Sequence, residues 1–166
     1  MKLVTLQNKR VLDYIKNKNE YKPDEKYNFM IDPYVDMFQE YLKRTDIDID
    51  AAIWCWHTVE YIRTDKIPDS KMIKYMEDYF NDKNKGVAIL LDVPRELVLL
   101  TDAYAWASYA SDNEDDRYDN PYKWDIDVEH NKKVSHIQGI IPTLKPEYIL
   151  EYKLIEDIKN NELKWS

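Results

Sequence analysis

The sequence predicts an α+β fold: a single domain over residues 1–166, with about four helices packed around a mixed or antiparallel sheet of about five strands. A length of 166 residues suits one domain with its own hydrophobic core. Hydrophobic residues make up 44 % of the chain and charged residues 34 %, a balance typical of folded proteins. Segments with strand and helix periodicity interleave irregularly, and this order favours the α+β class.

The first part of the chain predicts one strand and two helices. Residues 2–7 form a short segment rich in strand-favouring residues. From Asn8 onwards, apolar residues recur at three- and four-residue spacing, which predicts the first helix. A second helix is predicted from Asp32 to Thr45, because Pro33 suits a first turn and apolar residues follow at helical spacing.

The segment "AAIWCWHTVEY", residues 51–61, predicts a strand with an unusual concentration of rings. Side chains alternate between the two faces of a strand. Trp54 and Trp56 are therefore expected on one face, and Cys55 and His57 on the other. Both faces are expected to be at least half buried.

Three more elements are predicted before residue 112. A third helix begins at Ile67 and ends near Gly86, where an asparagine and the glycine terminate it. The apolar run 87–93 predicts a strand covered on both faces. A short strand over 96–101 is followed by a helix over 102–111, capped by its first residue or by the threonine before it.

The last third of the chain predicts a loop and two strands. Residues 111–133 are rich in acid and lack apolar periodicity, which predicts a long acidic surface loop. Strands are predicted over 134–141 and 150–155, with a turn or short helix between them. Residues 157–166 form a tail that is expected to fray.

Composition excludes several classes of protein. Gly86 and Gly139 are the only glycines, so the chain contains no phosphate-binding loop and no dinucleotide-binding fingerprint. The formal net charge of -8 argues against direct DNA binding, which needs clustered Lys and Arg. Cys55 is the single cysteine and cannot form an internal disulfide, which fits a reducing compartment. No segment is apolar enough for a signal peptide or a membrane span, so a cytoplasmic location is expected.

Catalytic and metal sites find little support in the sequence. Cys55 and His57 share a predicted strand face, but no orienting acid or oxyanion hole accompanies them, so an inert buried thiol is expected. His130 and His136 lack the spacing of a metal motif. The aspartates of the acidic loop lack the turn glycine and terminal glutamate of a calcium loop. No catalytic residue, no metal and no cofactor are therefore predicted.

The aromatic residues instead suggest a binding pocket, since 14 Tyr and 5 Trp make 13 % of the chain aromatic. The paired indoles of the Trp strand form a wall that can stack a purine or nicotinamide ring. Their alternative role is core packing against the first two helices. Thr5, Gln7 and Gln138 are candidates for the few polar groups of such a pocket, beside the paired indoles and Trp106.

Three arginines are candidates to clamp a phosphate or carboxylate. Arg44 ends the second helix, Arg63 follows the Trp strand, and Arg95 lies between two strands. Surface ion pairing is the alternative for each. The predicted ligand-binding residues are Thr5, Gln7, Arg44, Trp54, Trp56, Arg63, Arg95, Trp106 and Gln138.

Five motifs occur in order along the chain: "LVTLQ", "PYVDMFQEYLKR", "AAIWCWHTVEYIR", "LLDVPRELVLLTDAYAW" and "SHIQGIIPTLKPEYI". In this order and spacing they resemble an uncharacterised bacterial and phage family, domain of unknown function three-eight-four-one. The chain departs from that family's pattern at Val4, where the family tends to have Trp, at Ala52, where it has Pro, and at Thr101, where it has Ser. The resemblance implies a fold and no function.

A fainter likeness is to ADP-ribosyltransferase-like folds, which also begin with a strand ending near a Thr and close with an extended strand and an "IP" turn. In those enzymes a carboxylate just before that turn activates a ribose. The comparable residues here, 135–138, read Ser-His-Ile-Gln and contain no acid. Transferase chemistry is therefore not expected, even if the fold is shared.

Together these observations predict a non-enzymatic binding protein with an aromatic-walled pocket for a small, nucleotide-like ligand. The phage association of the resembled family suggests the sequestering of a host defence signal. An alternative, from another class, is an acidic interaction protein that occupies a basic site on a host protein. An ADP-ribosyltransferase-like enzyme is the third possibility. The oligomeric state is not indicated.

Overall fold

A seven-stranded antiparallel sheet forms the framework of the protein. The computed structural model describes residues 1–17, 20–24, 31–66, 86–112, 114–124, 127, 130–154 and 165. The helix predicted over 67–86 lies outside the described residues except for its last residue. Of the predicted tail over 157–166, only Trp165 is described.

The described elements match the α+β prediction, with more strands than expected. The strands are β1 (Lys2–Asn8), β2 (Ile53–Val59), β3 (Ile62–Arg63), β4 (Gly86–Asp92), β5 (Leu99–Asp102), β6 (Ile137–Ile141) and β7 (Ile149–Leu154). The helices are α1 (Lys9–Asn17), α2 (Ile31–Thr45), α3 (Ala103–Ser111) and α4 (Glu114–Asp119). Short 3₁₀ turns cover Thr64–Lys66, Arg95–Leu97 and Pro146–Tyr148.

The strand order is β5-β6-β2-β1-β4-β7, and β3 pairs with β2 outside this path. Every one of these pairings is antiparallel, which resolves the predicted choice between a mixed and an antiparallel sheet. β1 lies at the centre and pairs with β4 over seven residues, from Lys2–Asp92 to Asn8–Gly86. Strand β2, which contains Trp54 and Trp56, is thus a neighbour of β6 in the sheet.

Both faces of the sheet are covered at its centre. On one face, Leu3 and Ile53 join a core with Leu12 and Ile15 of α1. On the other face, Trp54 packs with a cluster formed by α2, α3 and the β5–β6 pair, whose fully buried members include Met37, Tyr41 and Ile140. Burial on both sides explains why β4, with the sequence GVAILLD, is a continuous apolar run rather than an alternating one.

The strict alternation predicted for β2 holds only as far as Trp56. A register shift between Trp56 and Thr58 interrupts the pairing of β2 with β6. Such bulges insert a residue and turn the following side chains. His57 lies at this irregularity, buried, with its Nδ1 atom 2.7 Å from the Thr58 hydroxyl.

The acidic segment 111–133 differs from the predicted surface loop. Ser111 still belongs to α3, and α4 (Glu114–Asp119) follows almost at once. Asp115 and Asp116 lie in the first turn of α4, where the helix dipole favours negative charge. Further along, Tyr122 and Trp124 pack against the cluster under α2 and α3. The acidic composition favoured a loop, although this segment contains a short helix and two aromatic residues, Tyr122 and Trp124, that pack in the core.

Gly139 explains how closely β5 approaches β6. A Cβ atom at this position would lie 3.0 Å from Leu100 Cδ2 and 3.1 Å from Val98 Cγ1. These separations are shorter than ordinary carbon contacts. Glycine therefore lets β5 pair tightly beside the strand that carries Gln138.

Among the described residues, no helix is both long and apolar enough to cross a lipid bilayer.

Candidate functional site

A cavity of about 410 Å³ lies between one face of the sheet and the helices α2 and α3. Strands β1, β2 and β6 form its floor, and the two helices form its walls. Four of the nine residues predicted to bind a ligand lie in this one cavity. Its described lining residues are Leu6, Tyr34, Trp54, Trp56, Trp106, Ala107, Ala110, Ser111 and Gln138.

The sheet places the two indoles and the carboxamide side by side. Trp54 and Trp56 project from the same face of β2 because they are two residues apart in a strand. Gln138 of β6 is the direct register partner of Trp56. Paired residues of antiparallel strands point to the same face. Residues 82 positions apart in sequence therefore share one cavity floor.

Helix α3 supplies the opposite wall. Asp102 caps the helix, and its carboxylate accepts hydrogen bonds from the backbone N–H groups of Tyr104, at 3.0 Å, and Ala105, at 3.2 Å. This cap fixes where the helix begins and so which residues face the sheet. Ala107 and Ala110 line the cavity, and their small side chains leave the space that larger residues would fill.

Trp106, which itself lines the cavity, is the centre of an aromatic cluster that supports that wall. Its side chain is buried, with 4 % of the residue exposed. Four rings lie within 6.2 Å of the Trp106 ring, measured between centroids: Tyr34, Tyr109, Tyr122 and Trp124. Tyr34 also contacts the edge of Trp54 at 6.0 Å. The cluster joins α2, α3 and the segment after α4 into one rigid support for the cavity.

Thr5 and Gln7 do not line this cavity, contrary to the predicted pocket. Alternation along β1 turns them to the opposite face from Leu6, which does line it. The Thr5 hydroxyl donates to the backbone oxygen of Trp54 at 2.7 Å, and the Gln7 amide donates to the Thr5 hydroxyl at 2.8 Å. The pair therefore holds the backbone that carries the Trp54 ring.

The three arginines also lie outside the described lining of the cavity. Arg44 donates to Glu40 at 2.5 Å and to a backbone oxygen at 2.8 Å. Arg63 lies 3.7 Å from Asp65, and Arg95 donates to the backbone oxygen of Val98 at 2.8 Å. The predicted phosphate clamp is therefore not assembled at this cavity, because each guanidinium contacts groups that lie elsewhere in the protein.

The cavity has a mostly apolar, uncharged surface, to which Ser111 and Gln138 contribute polar side chains. Among its described lining residues, none carries a formal charge. The Ser111 hydroxyl donates to the backbone oxygen of Ser108 at 2.8 Å. The half-buried side chain of Gln138 makes no hydrogen bond with any described residue. A mostly apolar wall with few polar groups is typical of a small-molecule site.

Catalytic groups are not concentrated at this site. Burial raises the pKa of the Cys55 thiol to about 12, so the nucleophilic thiolate is scarce at neutral pH. Cys55 is completely buried in the core on the other face of the sheet. Within the described ranges, no group of three or more His, Cys, Asp and Glu side chains is placed to hold a metal ion.

Five of the nine lining residues were not predicted from the sequence. Tyr34 lies one helical turn before Phe38, and helical spacing placed it in the second helix without assigning it to a site. Ala107 and Ala110 belong to the run "AYAWASYA", in which small residues alternate with rings. Nothing in the local pattern distinguishes a helix that borders a cavity from one that packs closely.

The tyrosines of the cluster predict a loss of stability at alkaline pH. Burial raises the pKa of Tyr109 to about 12, and the Asp36 carboxylate that accepts its hydrogen bond adds to the shift. Burial raises the pKa of Tyr122 to about 12 as well. An unfolded chain ionises tyrosine near pH 10. Unfolding therefore releases protons between about pH 10 and 12, and stability falls as the pH rises through this window.

We expect the free energy of unfolding to be lower at about pH 11 than at about pH 8, and each of these two tyrosines should account for about 1 kcal/mol of the difference. Urea unfolding at the two pH values measures the difference. The Tyr122→Phe variant removes one of the two groups and should lose less stability between the same pH values. An equal loss in both proteins would show that Tyr122 does not contribute.

Comparison with known proteins supplies no relative for this chain: no protein-family model, no curated protein and no solved structure matches it. The resemblances drawn from the motifs therefore stay predictions. What the protein does has to be inferred from the cavity itself.

Proposed function

We propose that the protein is a non-enzymatic binding protein whose aromatic cavity holds a small, nucleotide-like ligand by stacking on its planar ring. The observation that carries this proposal is that Trp54, Trp56 and Trp106 line a single cavity of about 410 Å³. They come from a strand and a helix that are distant in sequence. Ligand pockets of small molecules usually measure roughly 300–1,000 Å³.

Stacking supplies the main attraction in this proposal. A nucleic-acid base gains about 1–3 kcal/mol by stacking on an aromatic side chain. Trp54 and Trp56 are both half-buried, so part of each ring remains accessible from the cavity. A fully closed core would leave the indoles no open face. The half-buried state therefore favours a stacking surface over simple core packing.

The biological part of the proposal follows from the resemblance to a bacterial and phage family. In that setting the protein sequesters a nucleotide-like signal of a host defence system. The single cysteine favours a reducing compartment, and we propose that binding takes place in the cytoplasm. Binding alone removes such a signal, so no catalytic step is required.

Isothermal titration calorimetry against a panel of mono-, di- and cyclic nucleotides and their nucleosides tests the proposal. We expect heat from at least one of them, accompanied by quenching of tryptophan fluorescence. If none produces heat while circular dichroism confirms folded protein, the proposal fails. NAD belongs in the same panel, because release of nicotinamide would support the ADP-ribosyltransferase alternative instead.

A second candidate function is supported by the surface of α4. Asp115, Asp116 and Asp119 are exposed there, and Tyr118 beside them is 89 % exposed. An acidic surface with an exposed ring suits docking on a basic site of a protein partner. Binding of an oligo-arginine peptide should weaken with added salt and with Asp→Asn substitution at the three aspartates. Unchanged binding in that variant would exclude this surface.

A further inference from the structure

We infer that the cavity selects an uncharged nucleobase or nucleoside with a hydrogen-bond donor beside an acceptor on one edge of its ring, and that Gln138 recognises this edge. The inference rests on the proposed function, since it assumes that a planar ligand stacks on the indoles. It goes further by naming the ligand's charge, its hydrogen-bonding edge and the residue that determines specificity.

The position of Gln138 supports this role. Its register partners are Trp56 of β2 on one side and Thr101 of β5 on the other, so it lies beside Trp56 at the β6 side of the cavity floor. A carboxamide offers one carbonyl acceptor and two N–H donors. No described residue forms a hydrogen bond with these groups, although the side chain is half-buried. They are not among the buried atoms that lack a partner, so they remain accessible to solvent or to a ligand in the cavity.

Thr101 is a second polar residue beside Gln138. The residue is completely buried, and its Oγ1 atom has no hydrogen-bond partner among the described residues. As the register partner of Gln138, it lies on the same face of the sheet. Thr101 does not line the cavity, so of these two polar residues only Gln138 is placed to meet the edge of a ligand.

Charge determines which part of a nucleotide belongs in the cavity. The described lining residues include no lysine or arginine, and the three candidate arginines are held elsewhere. The whole chain carries a formal net charge of -8, which repels an anion. A phosphate would gain no ion pair and would lose part of its hydration. The base therefore enters the cavity and a phosphate adds no affinity.

A carboxamide is complementary to an edge in which a donor and an acceptor are adjacent. The amide carbonyl accepts from the ring's N–H or amino group, while the amide N–H donates to the neighbouring acceptor. Inosine offers such an edge with its N1–H and O6 atoms. Its 1-methyl derivative keeps the ring and the stacking but has no donor on the base. Adenosine and N6,N6-dimethyladenosine form an equivalent pair.

Calorimetric titration of these four nucleosides tests the inference with wild-type protein and with the Gln138→Met variant. Methionine has a similar length but no amide. In the wild type we expect at least one parent nucleoside to bind about ten-fold more tightly than its methylated derivative. In Gln138→Met the ratio should fall to roughly one. A steric clash with the added methyl group would instead persist in the variant.

The possible outcomes separate the inference from the proposed function. If no nucleoside or nucleotide binds to folded protein, the proposed function itself fails. If nucleosides bind but methylation has no effect, or the ratio is the same in Gln138→Met, only the role of Gln138 is overturned. Inosine 5′-monophosphate binding more tightly than inosine would overturn the exclusion of charge. A Gln138→Glu variant, whose carboxylate still accepts from the ligand's N–H group, should keep the preference for the parent nucleosides.

Discussion

Replacing Trp106 with alanine is expected to lower the free energy of unfolding by about 3–5 kcal/mol. The ring is almost completely buried and lies against four other aromatic rings. Removing it leaves a large hole in the support of the cavity, and the rigid strands and helices around it can close that hole only in part. Chemical denaturation with urea measures the loss.

Two further variants show whether the loss arises from this packing. Trp106→Phe keeps an aromatic ring in the cluster and should lose less than half as much stability. Tyr118→Ala removes an aromatic residue that is 89 % exposed, and its effect should stay within about 0.5 kcal/mol. A loss below 1 kcal/mol for Trp106→Ala would mean that the cluster does not hold α3 against the sheet.

Replacing Trp56 with alanine is expected to weaken ligand binding about five- to one-hundred-fold. The stacking of one base contributes about 1–3 kcal/mol, and each 1.4 kcal/mol corresponds to a factor of ten in affinity. Trp56 suits this test better than Trp54, whose ring contacts Tyr34 within the aromatic cluster. The Trp56 ring lies outside that cluster, at 6.4 Å from His136. Its removal leaves the supporting rings in place.

The measurement is calorimetric titration with whichever nucleoside or nucleotide of the panel binds best to the wild type. Trp56→Phe should retain most of the affinity, because a smaller ring still stacks. Tyr118→Ala serves again as the control, since this exposed ring lies outside the described lining of the cavity. Unchanged affinity in Trp56→Ala, with folding confirmed by circular dichroism, would remove the indole from the binding site.

Local patterns in the sequence were enough to predict most elements near the site. Proline at the start of α2, alternation in β2 and the apolar run of β4 each reflect a preference that a few neighbouring residues determine. The same alternation placed Trp54 and Trp56 on one face. Local patterns failed to predict the structure of residues 111–133, where the acidic residues form a short helix and two aromatic residues pack in the core.

The sequence by itself determined that paired indoles share one face of a strand, that an uncommon number of rings had to be accommodated, and that glycine-based phosphate sites were excluded. Only the tertiary structure decided which distant residues meet them. The strand order places Gln138 beside Trp56. Thr5 and Gln7 lie on the opposite face of β1, and Arg44 and Arg95 form hydrogen bonds outside the cavity. The reason is physical: alternation along a strand depends on adjacent residues, whereas strand pairing and helix packing depend on the balance of contacts over the whole chain.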